Sequence, residues 1–469
     1  MTADRDQLAR IILAGMNDIQ EWRLGDAQVA AAKNYPREYD AELIDDWGIV
    51  FIDITLDART GELVCHEVNG PNAVGSDALT GDSDLRAANE ADQAVCRARE
   101  MGYLDQGTAL KEKVVALHGH QHWKFFRTGG EFYPRVASFS DCMAERLADS
   151  SVGMFAAGDP LGEDDLSVVV GDIPSVSARL ECNTQTRRFE YAGRPVIFLG
   201  NPNFLPELIR TGKFDLADRN PGNPMLRVLH GWKLAELIHA KGKQQDLFSG
   251  TGIRPLRQFA AQNIDDAVAM AMEMLVHGPV VIKPSNTSGG AGVEVVVQGM
   301  SEADIRARFE AMIEECRAKY GSNADAMLFP LGGFEFVQST GYPMDDGAHL
   351  WDLRIAVQFE PGKALAYPVT LRLTPEAFDS DTFHTNRRQW VSNVSGRVET
   401  LLKSGMDDEA LGHIGMTQDL IDKAMQACVR WTSKAWDCVA RDGGHSGAVY
   451  EDFCEQVDEP FYHSERFTL

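Results

Sequence analysis

The chain has 469 residues, of which 44% are hydrophobic and 25% charged. That is enough for two or three packed domains and excludes an intrinsically disordered protein. A net charge of −25 argues against non-specific nucleic-acid or anionic-membrane binding, both of which need clustered positive charge, but is compatible with a local basic cradle for a nucleotide. The eight cysteines are scattered without a C-x-x-C pair, the polar N-terminus lacks a signal-peptide core, and no apolar run reaches membrane-span length. The expectation is a cytoplasmic protein with reduced thiols and with no nucleic acid and no membrane among its partners.

Residues 5–23 read as a helix, with apolar positions at Leu8, Ile11, Ile12, Met16 and Ile19. Residues 47–69 read as a β-hairpin turning at Ala58–Gly61. Within it, Glu67 and Asn69 share a face because side chains alternate along a strand, and Asp53 precedes Glu67 by fourteen residues. The stretch 110–213 looks α/β, with strands at Val114–Leu117, Leu166–Val170 and Val196–Leu199 and a helix at Asp141–Ala148. It contains no G-x-G-x-x-G, which counts against a nicotinamide-dependent oxidoreductase. His118, His120 and His122 alternate, so an extended segment puts all three on one face. That pattern fits zinc, but no catalytic carboxylate motif accompanies it, and a strand end at a domain mouth is the preferred reading. Asn220-Pro221-Gly222-Asn223-Pro224 suits neither helix nor strand and is the linker candidate.

Beyond the linker, a helix over about Asp265–His277 leads to the β-branched strand ending in Lys283, the glycine-rich loop Ser285–Gly292 and a second strand from Val293. Glycines let backbone N–H groups approach an anion without Cβ obstruction, and a lysine at the strand end adds a mobile positive charge. These are the parts of a phosphate cradle; an ordinary hairpin with an exposed lysine fits the same residues. The loop is neither a P-loop, lacking Gly-Lys-Ser/Thr, nor the dinucleotide fingerprint, since a strand follows it. A helix over Glu302–Tyr320 follows, then apolar runs at 334–338, 351–357, 371–373 and 390–396. An amphipathic helix closes the pattern at Gln418–Ala440.

In this order, the Lys283–glycine loop, Glu335-x-Val337, Asp352-x-Arg354 and Asn393-x-Ser395-Gly396 resemble the ATP-grasp superfamily. The branch is that of glutathione synthetase and the ribosomal-protein glutamate ligases, and the resemblance runs from Lys233 to Asp442. It implies an α/β protein with an ATP-grasp domain over 223–469 and a Rossmann-like pre-ATP-grasp domain over 96–222, preceded by a segment 1–95. It further implies ATP and Mg²⁺. The phosphates would meet Lys283, a first lysine at Lys241 (Lys233 and Lys243 compete), and Ser288, Gly289 and Gly290 of the loop. Glu335 and Val337 correspond to the hinge that meets adenine and ribose, and Arg354 and Arg372 to the cations near the γ-phosphate and acyl phosphate. Arg387 and Arg388 are weaker candidates for a substrate carboxylate, and Asn393 fits a slot near the metal.

The family's metal site, an Asp on one strand and Glu-x-Asn on the next, belongs near the C-terminal end. Here it is clearest at the beginning, as Asp53, Glu67 and Asn69, which implies a circular permutation with residues 1–95 supplying the metal-binding hairpin. The competing reading gives the metal to Glu451 or Glu455, and a second Glu-x-Asn at Glu181–Asn183 shows how common the tripeptide is. The activity implied is ADP-forming ligation of a small-molecule carboxylate to an amine through an acyl phosphate, in a protein that can be a homodimer. A non-catalytic ATP-binding regulatory protein is the alternative.

Overall fold

The computed structural model describes residues 36–441 apart from 71–81, 121–134, 184, 202–203, 216–222, 232–233, 235–240, 285–291, 321–327, 329, 393–400 and 405–407. Expectations for the helix at 5–23, for Lys233, Ser288, Gly289, Gly290 and Asn393, and for Glu451 and Glu455 lie outside the described residues, as do the side chains of Lys241 and Lys243.

The described residues form an α/β structure of three main sheets. Its strands are β1 (Arg37–Ala41), β2 (Gly48–Leu56), β3 (Leu63–Asn69), β4 (Val114–His120), β5 (Val152–Ala156), β6 (Leu166–Asp172), β7 (Leu180–Asn183), β8 (Arg188–Tyr191), β9 (Arg194–Leu199), β10 (Gln258–Ala261), β11 (Val280–Pro284), β12 (Glu294–Val296), β13 (Leu331–Glu335), β14 (Tyr342–Met344), β15 (Gly347–His349), β16 (Trp351–Glu360), β17 (Gly362–Leu373) and β18 (Leu401–Ser404). The helices used below are α1 (Asp82–Glu100), α2 (Ile173–Arg179), α3 (Phe204–Arg210), α4 (Lys241–Asp246), α5 (Ile264–Leu275), α6 (Glu302–Tyr320) and α7 (Gln418–Arg441).

The first sheet has the order β1-β17-β16-β2-β3, with β18 also on β17, and every pairing is antiparallel. It joins strands from the two ends of the described chain: β2 and β3 are early, β16 and β17 late. All nine residues of β2 are buried. Ile52, Ile54, Leu353 and Ile355 belong to one core with Ile421, Met425, Cys428 and Trp431 of α7, each fully buried aliphatic side chain contributing about 1.5–3 kcal/mol. The turn between β2 and β3 is closed by Gly61, whose φ of +70° suits a residue without Cβ.

The chain then crosses to a sheet of order β5-β6-β4-β9-β8-β7, parallel from β5 to β9 with an antiparallel edge. Both faces are covered, as a parallel sheet requires. Ala87, Ala91, Ala94 and Ala98 of α1 pack on one face with Phe139 and Met143, and α2 and α3 cover the other. The sequence strands at 114–117, 166–170 and 196–199 are all present, slightly longer than expected. The expected helix at 141–148 falls within one over 135–146. Asn223 of the linker candidate caps the short helix Pro224–Arg227 and is buried.

The third sheet, β10-β13-β11-β12, is antiparallel and packs on α5 and α6. Gly292 sits where the glycine-rich segment rejoins β12. A Cβ there would lie 2.5 Å from Cys316 Sγ of α6, and its φ is +66°. Strand 334–338 is shifted in the structure: β13 ends at Glu335, and Val337 lies just beyond it. Trp390–Ser392 is irregular rather than strand.

Helix α1 joins the first two sheets. Its alanine stripe faces the parallel sheet, while Asn89 donates to the Phe359 carbonyl of β16 at 3.3 Å and Arg97 pairs with Asp46 beside β2. Gln93 contacts His230 Nδ1 at 2.6 Å. His118 is fully buried against Phe139 and Phe198, with ring centroids 4.5 and 5.2 Å away and neither ring nitrogen hydrogen-bonded. The zinc reading therefore loses this residue to a core role; His120's side chain and His122 lie outside the described residues.

Burial holds both imidazoles neutral. Burial, then Arg86 and Arg135, pushes His230 down to about 3, and burial with the Arg135 charge pushes His118 well below its ordinary value. An unfolded histidine takes up its proton near pH 6.5. The unfolded state thus binds more protons below that pH, and stability falls on acidification. Between pH 7.5 and 5.5 each group should cost about 1.4 kcal/mol of unfolding free energy. Urea unfolding of the intact chain and of H118F at the two pH values checks this, and the variant should lose about 1.4 kcal/mol less than the parent.

Candidate functional site

Five charged residues of the first sheet form a row across four of its strands. Arg372 of β17 is the register partner of Asp352 on β16, Arg354 of β16 that of Asp53 on β2, and Asp53 that of Glu67 on β3. Register partners in an antiparallel sheet share a face, so opposite charges meet along the row.

Asp53 is the hub. It is 0% exposed, and a carboxylate taken out of water must be paired. Arg354 donates Nε to Oδ1 at 2.7 Å and Nη2 to Oδ2 at 2.8 Å. Arg372 donates Nη2 to Oδ2 at 2.7 Å, and Asn69 donates Nδ2 to the same oxygen at 2.9 Å. Arg372 also donates Nε to Asp352 Oδ1 at 2.5 Å, while the Ser392 hydroxyl donates to the other Asp352 oxygen. Burial works against the charge of Arg372, but Asp352 and Asp53 outweigh it and hold the guanidinium above its ordinary range. Burial pushes the Asp352 carboxyl up; Arg372 pulls against that, and the Asp53 charge adds to it. The Phe51 ring, two residues before Asp53, lies 5.3 Å from the Arg86 guanidinium of α1 and 6.0 Å from that of Arg354.

A bulge distinguishes β3. Asp53 faces Glu67 but Ile54 faces Cys65, so His66 is the extra residue. Burial lowers the His66 imidazole; Asp352 and Asp53 act the other way, and the positive charges of Arg372 and Lys283 act with burial. Packing connects Lys283 to β3: Lys283 Nζ lies 4.5 Å over the Phe334 ring, and Phe334 clusters with Val64 of β3, Leu256 and Val337. Arg254 bridges the same elements, pairing with Glu335 at the end of β13 and with Asp57 at 3.0 Å in the β2–β3 turn.

Among the sequence candidates, Asp53, Asn69, Arg354 and Arg372 are brought into one hydrogen-bonded group, with Glu67 beside Asp53, while Lys283 lies over Phe334, which packs on Val64 of the same hairpin. Glu335 ends β13 directly after Phe334, and Val337, two residues further on, packs in the same apolar group as Phe334. Lys241 begins α4, whose Gln244 exchanges hydrogen bonds with the Val68 backbone at 3.2 Å, so this helix abuts β3. Arg387 and Arg388 are engaged elsewhere. Arg387 pairs with Glu315 and Glu294, and Arg388 with Glu376, so the carboxylate role expected for them meets carboxylates of the chain itself. Glu181 and Asn183 lie on β7 at the far edge of the parallel sheet. Sequence reasoning missed Ser392, His66 and Arg254 as site neighbours. It quoted Asp352 only as part of the Asp-x-Arg pattern, although the period-two spacing already put both residues on one face.

The donor set suits a hard cation in its chemistry: Glu67 and Asn69 are half-buried on one face, and Asp53 lies next to both. Asn69 turns its Nδ2 to Asp53, so its amide oxygen is directed elsewhere. Among the described residues no three His, Cys, Asp or Glu side chains gather as a metal cluster; the oxygens here come from two carboxylates and an amide. No described helix is long and apolar enough to cross a membrane, and the described cysteines are all free thiols.

No family model matches the chain, and no curated protein matches it in sequence. Several solved structures resemble it. One is the D-alanyl-alanine synthetase A of Vibrio cholerae O1 biovar eltor str. N16961, at 10% identity over 67% of this chain and 81% of that one, TM-score 0.34. A second is the Campylobacter jejuni biotin carboxylase in its β,γ-ATP complex, at 12% identity over 69% and 71%, TM-score 0.30. A third is the ATP-grasp ligase PsnB with its minimal precursor, at 14% identity over 60% of this chain and 100% of that one, TM-score 0.25. At such scores the overlap carries no functional weight, and the site stands on the chain's own geometry.

Replacing Asp53 by Asn should leave two buried guanidinium groups facing each other and cost about 3 kcal/mol or more in stability. Chemical denaturation of the variant measures this; a change under 1 kcal/mol would be the wrong result.

Proposed function

We propose that the chain is an ATP-dependent ligase of ATP-grasp type that joins a carboxylate to an amine and releases ADP and phosphate. One observation carries this reading. Two buried arginines and a set of hard oxygen donors, drawn from early and late strands, share one hydrogen-bonded row, and the strand-end Lys283 lies over Phe334, which packs on Val64 of β3 in the same hairpin.

The roles follow from the chemistry of each group. Lys283, at the end of β11 before the glycine-rich segment, offers a point charge to the nucleotide phosphates. Arg372 spends Nε on Asp352 and Nη2 on Asp53, so its Nη1 corner is the one to turn toward a transferring phosphoryl oxygen. Asp53 grips Arg354 bidentately and fixes its plane. Guanidinium groups set in advance need no reorganisation as charge develops, which is where electrostatic catalysis gains most. Glu335 and Val337 meet the nucleoside. Glu67 and the Asn69 oxygen, with Asp53 behind them, would hold magnesium, and the ion would supply screening of the phosphate charge. Phosphoryl transfer to the substrate carboxylate gives an acyl phosphate, and amine attack releases phosphate and leaves an amide. Substrates of this kind are small molecules with a carboxylate and an amine.

Incubating the chain with Mg-ATP and a panel of small carboxylates and amines, and following ADP release, tests the reading. ADP formation that needs both a carboxylate and an amine is expected; nucleotide binding without any such turnover points instead to a regulatory ATP-binding protein. K283A should weaken ATP binding or turnover at least roughly tenfold. Glu67→Gln should keep the fold, judged by its thermal midpoint, while Mg-dependent turnover is lost, because one negative ligand is removed at nearly constant volume. Full turnover in both variants would refute these roles.

A further inference from the structure

Arg254 lies in the segment that leads to β10, and its guanidinium meets carboxylates from three separate stretches. Nη2 is 3.0 Å from Asp57 Oδ2, Nε is 3.1 Å from Glu62 Oε2, and Nη1 is in short contact with Glu335 Oε1. Asp57 and Glu62 flank the turn of the β2–β3 hairpin, and Glu335 ends β13. The backbone repeats the connection. Arg254 N–H donates to the Leu63 carbonyl at 2.8 Å, and Ala58 N–H donates to the Gln338 carbonyl at 2.9 Å. Arg257 adds a second, longer contact to Glu335 at 3.8 Å. The turn of the hairpin is therefore fastened to Glu335 by one planar cation and to Gln338 by a backbone hydrogen bond. Nη1 and Nη2 donate to Glu335 and Asp57, while Nε is near Glu62 without a hydrogen bond to it. Lysine is a poor substitute in such a place, because a point charge does not present donors in two fixed directions.

We propose that Arg254 is a positioning residue that couples nucleoside binding at Glu335 to the placement of the hairpin bearing Glu67 and Asn69. The inference rests on the proposed nucleoside role of Glu335. Without Arg254, the carboxylates of Asp57, Glu62 and Glu335 face one another, Glu335 loses its fixed orientation, and the hairpin turn loses its charged anchor. Coupling of this kind is reciprocal: whatever displaces the hairpin changes nucleoside affinity, and a bound nucleoside steadies the hairpin. A permuted arrangement makes such a fastening useful, since 197 residues separate Asp57 from Arg254 and the chain between them builds the parallel sheet.

Adenosine is the probe, because it lacks phosphates and reports on the hinge alone. It is titrated into the intact chain and into R254A, R254K and D57N, each checked for an intact thermal transition. R254A should weaken adenosine at least roughly tenfold and R254K by less. D57N alters only the hairpin turn and should still weaken adenosine roughly fivefold. Amide hydrogen exchange without nucleotide should show residues 57–64 and 333–337 losing protection together in R254A and R254K. Unchanged adenosine affinity in both R254K and D57N, or protection lost in only one of the two segments, overturns the proposal. If the parent chain binds no adenosine, the nucleoside reading of Glu335 fails. The fastening is then judged by exchange, where joint loss supports it and loss in one segment overturns it.

Discussion

A buried carboxylate that must be shared between two guanidinium groups is the constraint on which the arrangement depends. Asp53 is the one ionisable residue in an otherwise apolar or hydroxyl-bearing strand, and leaving it unpaired would cost several kcal/mol. Its partners are 301 and 319 residues away in sequence. Pairing fixes β2 against β16, and a register slip by one residue would put Asp53 among the aliphatic side chains packed on α7. The ion cluster therefore acts less as a source of net stability than as a selector of register. The same selection gives a sheet with one oily face under a helix and one face that bears the charged row.

The region around that row is assembled from three sheets that would not meet without specific joints. Helix α1 is one joint, with small residues packed against the parallel sheet and Asn89 and Arg97 reaching the first sheet. The apolar group of Val64, Leu256, Phe334 and Val337 is a second, and the Arg254 ion network lies beside it. Apolar contact supplies adhesion there and the charged network supplies direction, since burial is non-directional while a guanidinium fork has fixed donor geometry. The proposed ligase chemistry would use the same division, holding cations on rigid strands and leaving the glycine-rich segment to approach the phosphates.

Much of the local structure was legible because it follows from short-range periodicity. The hairpin at 48–69 showed as two apolar runs around a glycine turn, and the helix expected at 418–440 showed as an apolar stripe of helical period. Boundaries slipped where long-range pairing decides them. β13 stops at Glu335 because its partners β10 and β11 run out there, which nothing near Val337 announces. Arg387 looked like a substrate cation because an arginine in a loop carries no sign of its partners, and its carboxylates come from β12 and α6, more than seventy residues away.

By itself the sequence determined which residues can share a face: Glu67 with Asn69, Asp352 with Arg354, each two apart on a strand. Their charge made them conspicuous against aliphatic neighbours. It also determined that Lys283 ends a strand before a glycine-rich stretch. The tertiary structure alone decided that Asp53 would bind Arg354 and Arg372, that His66 would be the bulged residue, and that Arg254 would gather Asp57, Glu62 and Glu335. The physical reason is range. Alternation and turn chemistry act over a few residues and can be read locally. Pairing of buried charges depends on which distant strands lie side by side, and that is settled only when the whole chain minimises its exposed apolar surface and its unpaired charge together.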